Sequence, residues 1–116
     1  MDILANSKDL IIKKTREVLL IPLKEICYIE KFGDYCIVRN KQGEIKIRTQ
    51  LKKVGYILPK YFIKVNRSFI INATLISKIV LNEKNFYEVY FFHDNENYIL
   101  INRNKLNLVV SELIEI

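Results

Sequence analysis

The residues best suited to chemistry are basic and amide side chains that interrupt β-type segments. Lys31 stands beside a Gly33-Asp34 pair, between the runs Ile26-Cys27-Tyr28-Ile29 and Tyr35-Cys36-Ile37-Val38. Asn66-Arg67-Ser68 separates Phe62-Ile63-Lys64-Val65 from Phe69-Ile70-Ile71. Arg103 opens a C-terminal amphipathic stretch. A polar triplet inside a β run reads as a loop at the end of a sheet. Arginine reads guanine through two parallel hydrogen bonds, asparagine can read adenine, and serine hydroxyls and helix N-terminal amides suit phosphate. The competing reading of Arg67 and Arg103 is ordinary surface charge.

Other reactive residue types are sparse. His93 is the only histidine, with Asp94 and Glu96 beside it. Their spacing is neither that of zinc ligands nor that of a calcium loop, so a solvated turn is the expectation and no metal is called for. Cys27 and Cys36 lie in apolar runs, where a buried, inert thiol is the common case. They flank one hairpin, so a redox pair is the competing reading. Three glycines could hardly build a phosphate loop. The chain therefore reads as a non-enzyme without a cofactor.

The composition sets the frame for these residues. A length of 116 residues suits one domain. Half of the residues are hydrophobic, enough for a core, which argues against overall disorder. The net charge of +6 favours anionic partners. No apolar run approaches the roughly 20 residues of a membrane span, and no secretory signal pattern opens the chain. A soluble, cytoplasmic protein is the expectation.

The elements that must position these residues are mostly strands. Leu10-Ile11-Ile12 and Val18-Leu19-Leu20-Ile21 are short apolar pieces, the second ended by Pro22. Gly33-Asp34 and Gln42-Gly43 mark hairpin turns. Glu44 to Thr49 alternates apolar and polar residues, as a half-buried strand does. Gln50 to Leu58 predicts a weak helix with Thr49 as N-cap and Gly55 inside it. Further strands follow at Phe62–Val65, Phe69–Ile71, Ile76–Leu81, Phe86–Phe92 and Tyr98–Ile101, with a polar loop over residues 93–97. Leu106, Val109, Val110 and Leu113 form one face of a terminal helix, with Asn102 as N-cap. Asn72 reads as the cap of a short helical turn. About ten short strands with one or two helices make a mainly β domain built of hairpins. Residues 10–116 form that domain, and residues 1–9 are polar enough for a tail or linker remnant.

Three segments in order carry a family resemblance. Phe62-Ile63-Lys64-Val65-Asn66-Arg67-Ser68-Phe69-Ile70-Ile71-Asn72, followed by Ile76 and Ile79, resembles the signature of LytTR DNA-binding domains. Ile21-Pro22-Leu23-Lys24-Glu25-Ile26-Cys27-Tyr28-Ile29-Glu30, with Gly33-Asp34-Tyr35, is similar to the family's opening segment. Ile101-Asn102-Arg103 resembles its Val-Ser-Arg start of the terminal helix. The resemblance runs from about Leu10 to Ile116. Asn66 stands where the family usually has His, and Asn102 where Ser is common.

The resemblance implies an elongated stack of small, mostly antiparallel sheets. It also implies sequence-specific binding of double-stranded DNA in bacterial transcription regulation. Loops would enter successive major grooves and bend the duplex, with two copies on paired direct repeats. It places contacts at Lys31, Asp34 and Tyr35, at Asn66, Arg67 and Ser68, and at Asn102, Arg103 and Lys105. Arg67 and Arg103 would read bases. Asp34 admits three roles: repelling phosphate, accepting from a cytosine amino group, or orienting Lys31, the last preferred. Such modules usually follow a receiver domain, for which this chain has no room, so the expectation is an excised output domain or a short stand-alone regulator. The alternatives are a β-rich protein-interaction or membrane-tethered inhibitory module, and a binder of single-stranded nucleic acid using the chain's aromatic residues.

Overall fold

In the computed structural model residues 2–116 are described, and Met1, part of the expected tail, lies outside them. The described residues form eleven strands, two α-helices and two 3-10 turns. Three antiparallel sheets follow one another along the chain. The first contains β1 (Asp2–Ala5), β2 (Asp9–Lys13) and β3 (Val18–Pro22) in that order. The second contains β4 (Ile26–Phe32), β5 (Tyr35–Asn40), β6 (Gly43–Ile47), β7 (Phe62–Lys64) and β8 (Phe69–Asn72), ordered β6-β5-β4-β8-β7. The third contains β9 (Ile76–Leu81), β10 (Tyr87–Phe91) and β11 (Asp94–Ile101), ordered β11-β10-β9. Helix α1 (Leu51–Ile57) links β6 to β7, and α2 (Arg103–Glu115) follows β11. The principal extents of 48 × 30 × 24 Å make the molecule elongated.

The central sheet is covered on both faces, which explains its residue pattern. Ile26, Cys27, Tyr28 and Ile29 are buried in succession on β4, as expected of a strand without a solvent face. Ile26 and Ile29 enter a first core with Leu10, Ile12 and Ile21 of the first sheet and Leu51 and Val54 of α1. Cys27 and Tyr28 enter a second core with Val89, Phe91, Ile99 and Ile101 of the third sheet and Val109 of α2. On β8, Ile70 serves the first core and Ile71 the second, the two-residue period of a strand. A Cβ on Gly55 would stand 3.1 Å from Ile70 Cδ1, so glycine lets α1 lie close to the sheet.

Asn72 joins the layers. It is fully buried and makes four hydrogen bonds. Its Nδ2 donates to the carbonyl oxygens of Leu23 (3.2 Å) and Ile26 (2.8 Å). Its Oδ1 accepts from Thr74 N (3.0 Å) and Thr74 Oγ1 (2.6 Å), capping the turn Ala73–Leu75 as the sequence suggested.

Several boundaries differ from the sequence reading. Asp2–Ala5 is not a tail segment but an edge strand. Ile3 is buried opposite Ile12, and pairing with β2 supplies order that four residues do not announce locally. The N-cap of α1 is Gln50, not Thr49, and no side chain caps it. Thr49 instead offers its carbonyl to the Cys36 thiol at 3.5 Å. The strand expected over Glu44–Thr49 stops at Ile47. The polar stretch after Phe92 is largely strand. The turn closes at His93, whose φ is 73°, and Asp94 already pairs with Phe91. On α2, Val109 is buried and Leu106 half-buried, but Val110 and Leu113 are exposed, because the helix docks through a narrower stripe than its apolar content suggests.

Cys27 and Cys36 belong to different cores and are free thiols, so the hairpin does not make them a pair. Burial pushes both thiols above their ordinary range. The folded state thus favours the neutral thiol. That contribution is complete below the unfolded value of about 8.5 and is lost as pH rises through the higher folded value. Native protein is expected to react slowly with a thiol reagent at neutral pH and fully once unfolded, with stability falling above pH ~8.5. A thiol-labelling time course beside alkaline melting curves checks both.

Candidate nucleic-acid interface

Two of the three expected contact points are built as one unit. The β4–β5 turn has Gly33 at φ 60° as its first central residue and Asp34 as its second, closed by the Phe32–Tyr35 pair. Glycine there meets the positive φ that a tight hairpin needs. Next to it, Asn66 Oδ1 accepts from Ser68 N (2.8 Å) and Phe69 N (3.0 Å), and Val65 N donates to the Phe69 carbonyl (3.1 Å). This tightens the β7–β8 connection and leaves Arg67 exposed within it. Lys31 N donates to the Ser68 carbonyl at 2.7 Å and ties the two turns together.

The role of Asn66 is thereby narrowed. Bidentate reading of adenine needs the amide oxygen as well as the nitrogen, and both acceptor positions of that oxygen are taken by backbone N–H groups. Asn66 builds the loop instead. Asn66→Asp keeps the acceptor and is expected to leave stability within about 0.5 kcal/mol. Asn66→Ala is expected to lower it by about 1 kcal/mol and to speed amide exchange at Ser68 and Phe69. Urea unfolding and hydrogen exchange of the two variants check this.

The two turns line an open cleft of about 620 Å³. Lys31, Asp34 and Arg67 of the expected residues line it. So do Arg48 and Lys52, from the corner between β6 and α1, and Lys64 at the end of β7. Among the described residues none of these five cations is in an ion pair. Asp34 is the one carboxylate on the lining. Sequence reasoning missed Arg48, Lys52 and Lys64. Arg48 and Lys52 gave only an exposed position on an alternating strand or helix, which any surface cation shares, and Lys64 lay in the strand part of the Phe62–Asn72 string. Tyr35 is half-buried, with Lys46 Nζ 4.3 Å from its ring centre, a cation–π contact across the hairpin.

The third point is set apart from the cleft. Asn102 caps α2, its Oδ1 accepting from Lys105 N at 2.9 Å, as the sequence suggested. Arg103 and Lys105 occupy a first turn that contains no acidic residue. Positive charge at that end opposes the helix dipole, a local cost that a bound anion would offset. Val65, at the root of the Arg67 loop, shares the second core with Leu106 and Val109 of α2. One packed core thus supports both arginines.

The match to a family model decides what this basic surface belongs to. Residues 16–113 match the LytTr DNA-binding domain. The chain belongs to the LytTR family. It is a DNA-binding domain serving transcription regulation, and the family is not an enzymatic one. A solved LytTr DNA-binding domain, from a Bacillus cereus protein described as a methyl-accepting/DNA response regulator, shares the fold with a TM-score of 0.73. Its identity is 19%, and the match covers 93% of this chain and 98% of that one. The sequence-based expectation of a mainly β LytTR fold with a C-terminal helix holds. Comparison with curated proteins finds no match. Among the described residues of this LytTR domain, no helix is long and apolar enough to cross a membrane.

Proposed function

We propose that this LytTR domain binds double-stranded DNA sequence-specifically in the cytoplasm, with its loops in successive major grooves. The Lys31–Tyr35 turn and the Asn66–Ser68 loop enter as one unit, and the start of α2 enters separately. The observation that carries this reading is the Lys31–Ser68 hydrogen bond beside a cleft with five cations and one carboxylate. A rigid basic edge with so little compensating charge suits a polyanion.

Within it, Arg67 and Arg103 read base edges. Lys31, Ser68 and Lys105 hold phosphates and set register. Asp34 orients Lys31, and Tyr35 buttresses the turn through Lys46. Asn66 and Asn102 act through the loop and the cap that present the arginines. Two copies occupy paired direct repeats and bend the duplex between them, with a receiver domain controlling the pairing where one is attached.

Selection from a random duplex pool at moderate salt tests the reading. Enrichment of one motif in two copies, about 10–10.5 base pairs apart centre to centre, is the expected result. A pool that stays random at moderate salt, for the free domain and for a tethered dimer alike, favours a protein-interaction module instead.

A further inference from the structure

We propose that the cleft between the β4–β5 turn, the β6–α1 corner and the β7–β8 loop seats the sugar–phosphate backbone of the bound duplex, with Arg48, Lys52 and Lys64 as positioning residues. This inference rests on the duplex-binding reading and extends it to three residues outside the expected contact set.

Three observations carry it. The first is convergence. Lys31, Arg48, Lys52, Lys64 and Arg67 come from three separate stretches of chain and line one cleft of about 620 Å³. The second is the missing compensation. Like charges gathered on one concave surface repel each other. Asp34 is the one carboxylate on the lining, against five cations. None of the five cleft cations is paired among the described residues. The third is shape. The cleft is open, and its cations sit on several elements. That arrangement suits a linear chain of anions better than one small ion.

Position decides which part of DNA the cleft meets. Arg67, the lining residue placed at a base edge, shares the cleft with Lys31 and Asp34 of the β4–β5 turn. Arg48 and Lys52 line it from the β6–α1 corner, which the Cys36–Ile47 pair places beside the β4–β5 turn and away from the β7–β8 loop in the strand order. A duplex whose groove receives the loops presents its flanking backbone to that corner. Cations there neutralise phosphates and release counterions without reading sequence. They fix how deeply Arg67 enters the groove.

The test is a set of salt titrations on the duplex enriched from the random pool and on a scrambled duplex. Wild type is compared with the triple variant Arg48→Gln/Lys52→Gln/Lys64→Gln. A charge-matched control, Lys13→Gln/Lys41→Gln/Lys84→Gln, removes three exposed lysines that do not line the cleft. The slope of log K against log salt is expected to become shallower by about 0.9 for each phosphate that is no longer neutralised, and so by about two to three in the triple variant. Affinity should fall by a similar factor on both duplexes, and the enriched motif should not change. The control should keep a slope within about one unit of wild type.

An unchanged slope in the triple variant would overturn the proposal while leaving duplex binding intact. An equal fall in the control would overturn it too, since net charge alone would then explain the effect. A triple variant that loses its motif preference with an unaltered slope would make these residues base readers. Wild type without any duplex binding would overturn the functional reading itself. Circular dichroism of each variant separates binding effects from unfolding, and single substitutions replace the triple variant if it does not fold.

Discussion

Arg67→Ala and Arg103→Ala are each expected to weaken binding to the selected duplex by about 5- to 150-fold, equivalent to about 1–3 kcal/mol, while leaving stability unchanged. Both side chains are exposed, and neither is in an ion pair among the described residues. Their removal therefore deletes no fold-stabilising ion pair. Removal of Arg103 relieves charge at the positive end of α2, so that helix gains slightly if anything. The loss should be specific as well as large. Each variant should relax preference at one position of the motif and bind scrambled duplex almost as wild type does. A phosphate contact behaves in the opposite way, weakening all sequences together. Repeating the selection with each variant distinguishes the two roles.

Asn72→Leu is expected to lower folding stability by about 3 kcal/mol, from the unpaired polar groups it leaves in the interior. The leucine side chain cannot donate to the Leu23 and Ile26 carbonyls, nor accept from Thr74 N. Among the described residues Asn72 is the one buried polar side chain, so no neighbour stands ready to replace it. The melting temperature should fall by about 10 °C or more, given the size of the domain. Asn72→Asp tests the same account by chemistry instead of size. It keeps the acceptor for Thr74 but turns a carboxylate oxygen toward two carbonyls, so it should be no better than leucine near neutral pH. Urea unfolding of both variants reads the effect directly. Asn72 thus locks the central sheet to the turn preceding β4, and through it the scaffold that carries the β4–β5 turn.

Much of the scaffold was legible because hairpins announce themselves locally. Gly33-Asp34 and Gln42-Gly43 follow β-type runs, and a hairpin closes at each, over Gly33-Asp34 and over Lys41-Gln42 with Gly43 opening β6. The Asn72 and Asn102 caps were readable for the same reason, since a cap is a contact two or three residues away. The failures share the opposite cause. Asp2–Ala5 is a strand only because β2 lies beside it. Asp94 joins a strand because its neighbour across the turn, Phe91, holds it there. The exposed flank of α2 depends on where the second core ends. The interface divides along the same line. Its loops stood out as polar breaks in apolar runs. Arg48 and Lys52 did not, because only folding brings the β6–α1 corner onto one cleft with the β7–β8 loop, and Lys64 read as part of a strand. The loop-building role of Asn66 likewise became readable only with the directions of its hydrogen bonds.

This LytTR domain is expected to distinguish one duplex sequence from others. The most direct measurement is an equilibrium titration of the selected duplex and of a scrambled duplex of equal length, at about 0.15 M salt. Preference for the selected duplex by about 1,000-fold or more is the predicted result. Equal affinity for the two duplexes would contradict the claim, since the basic cleft would then provide attraction without recognition.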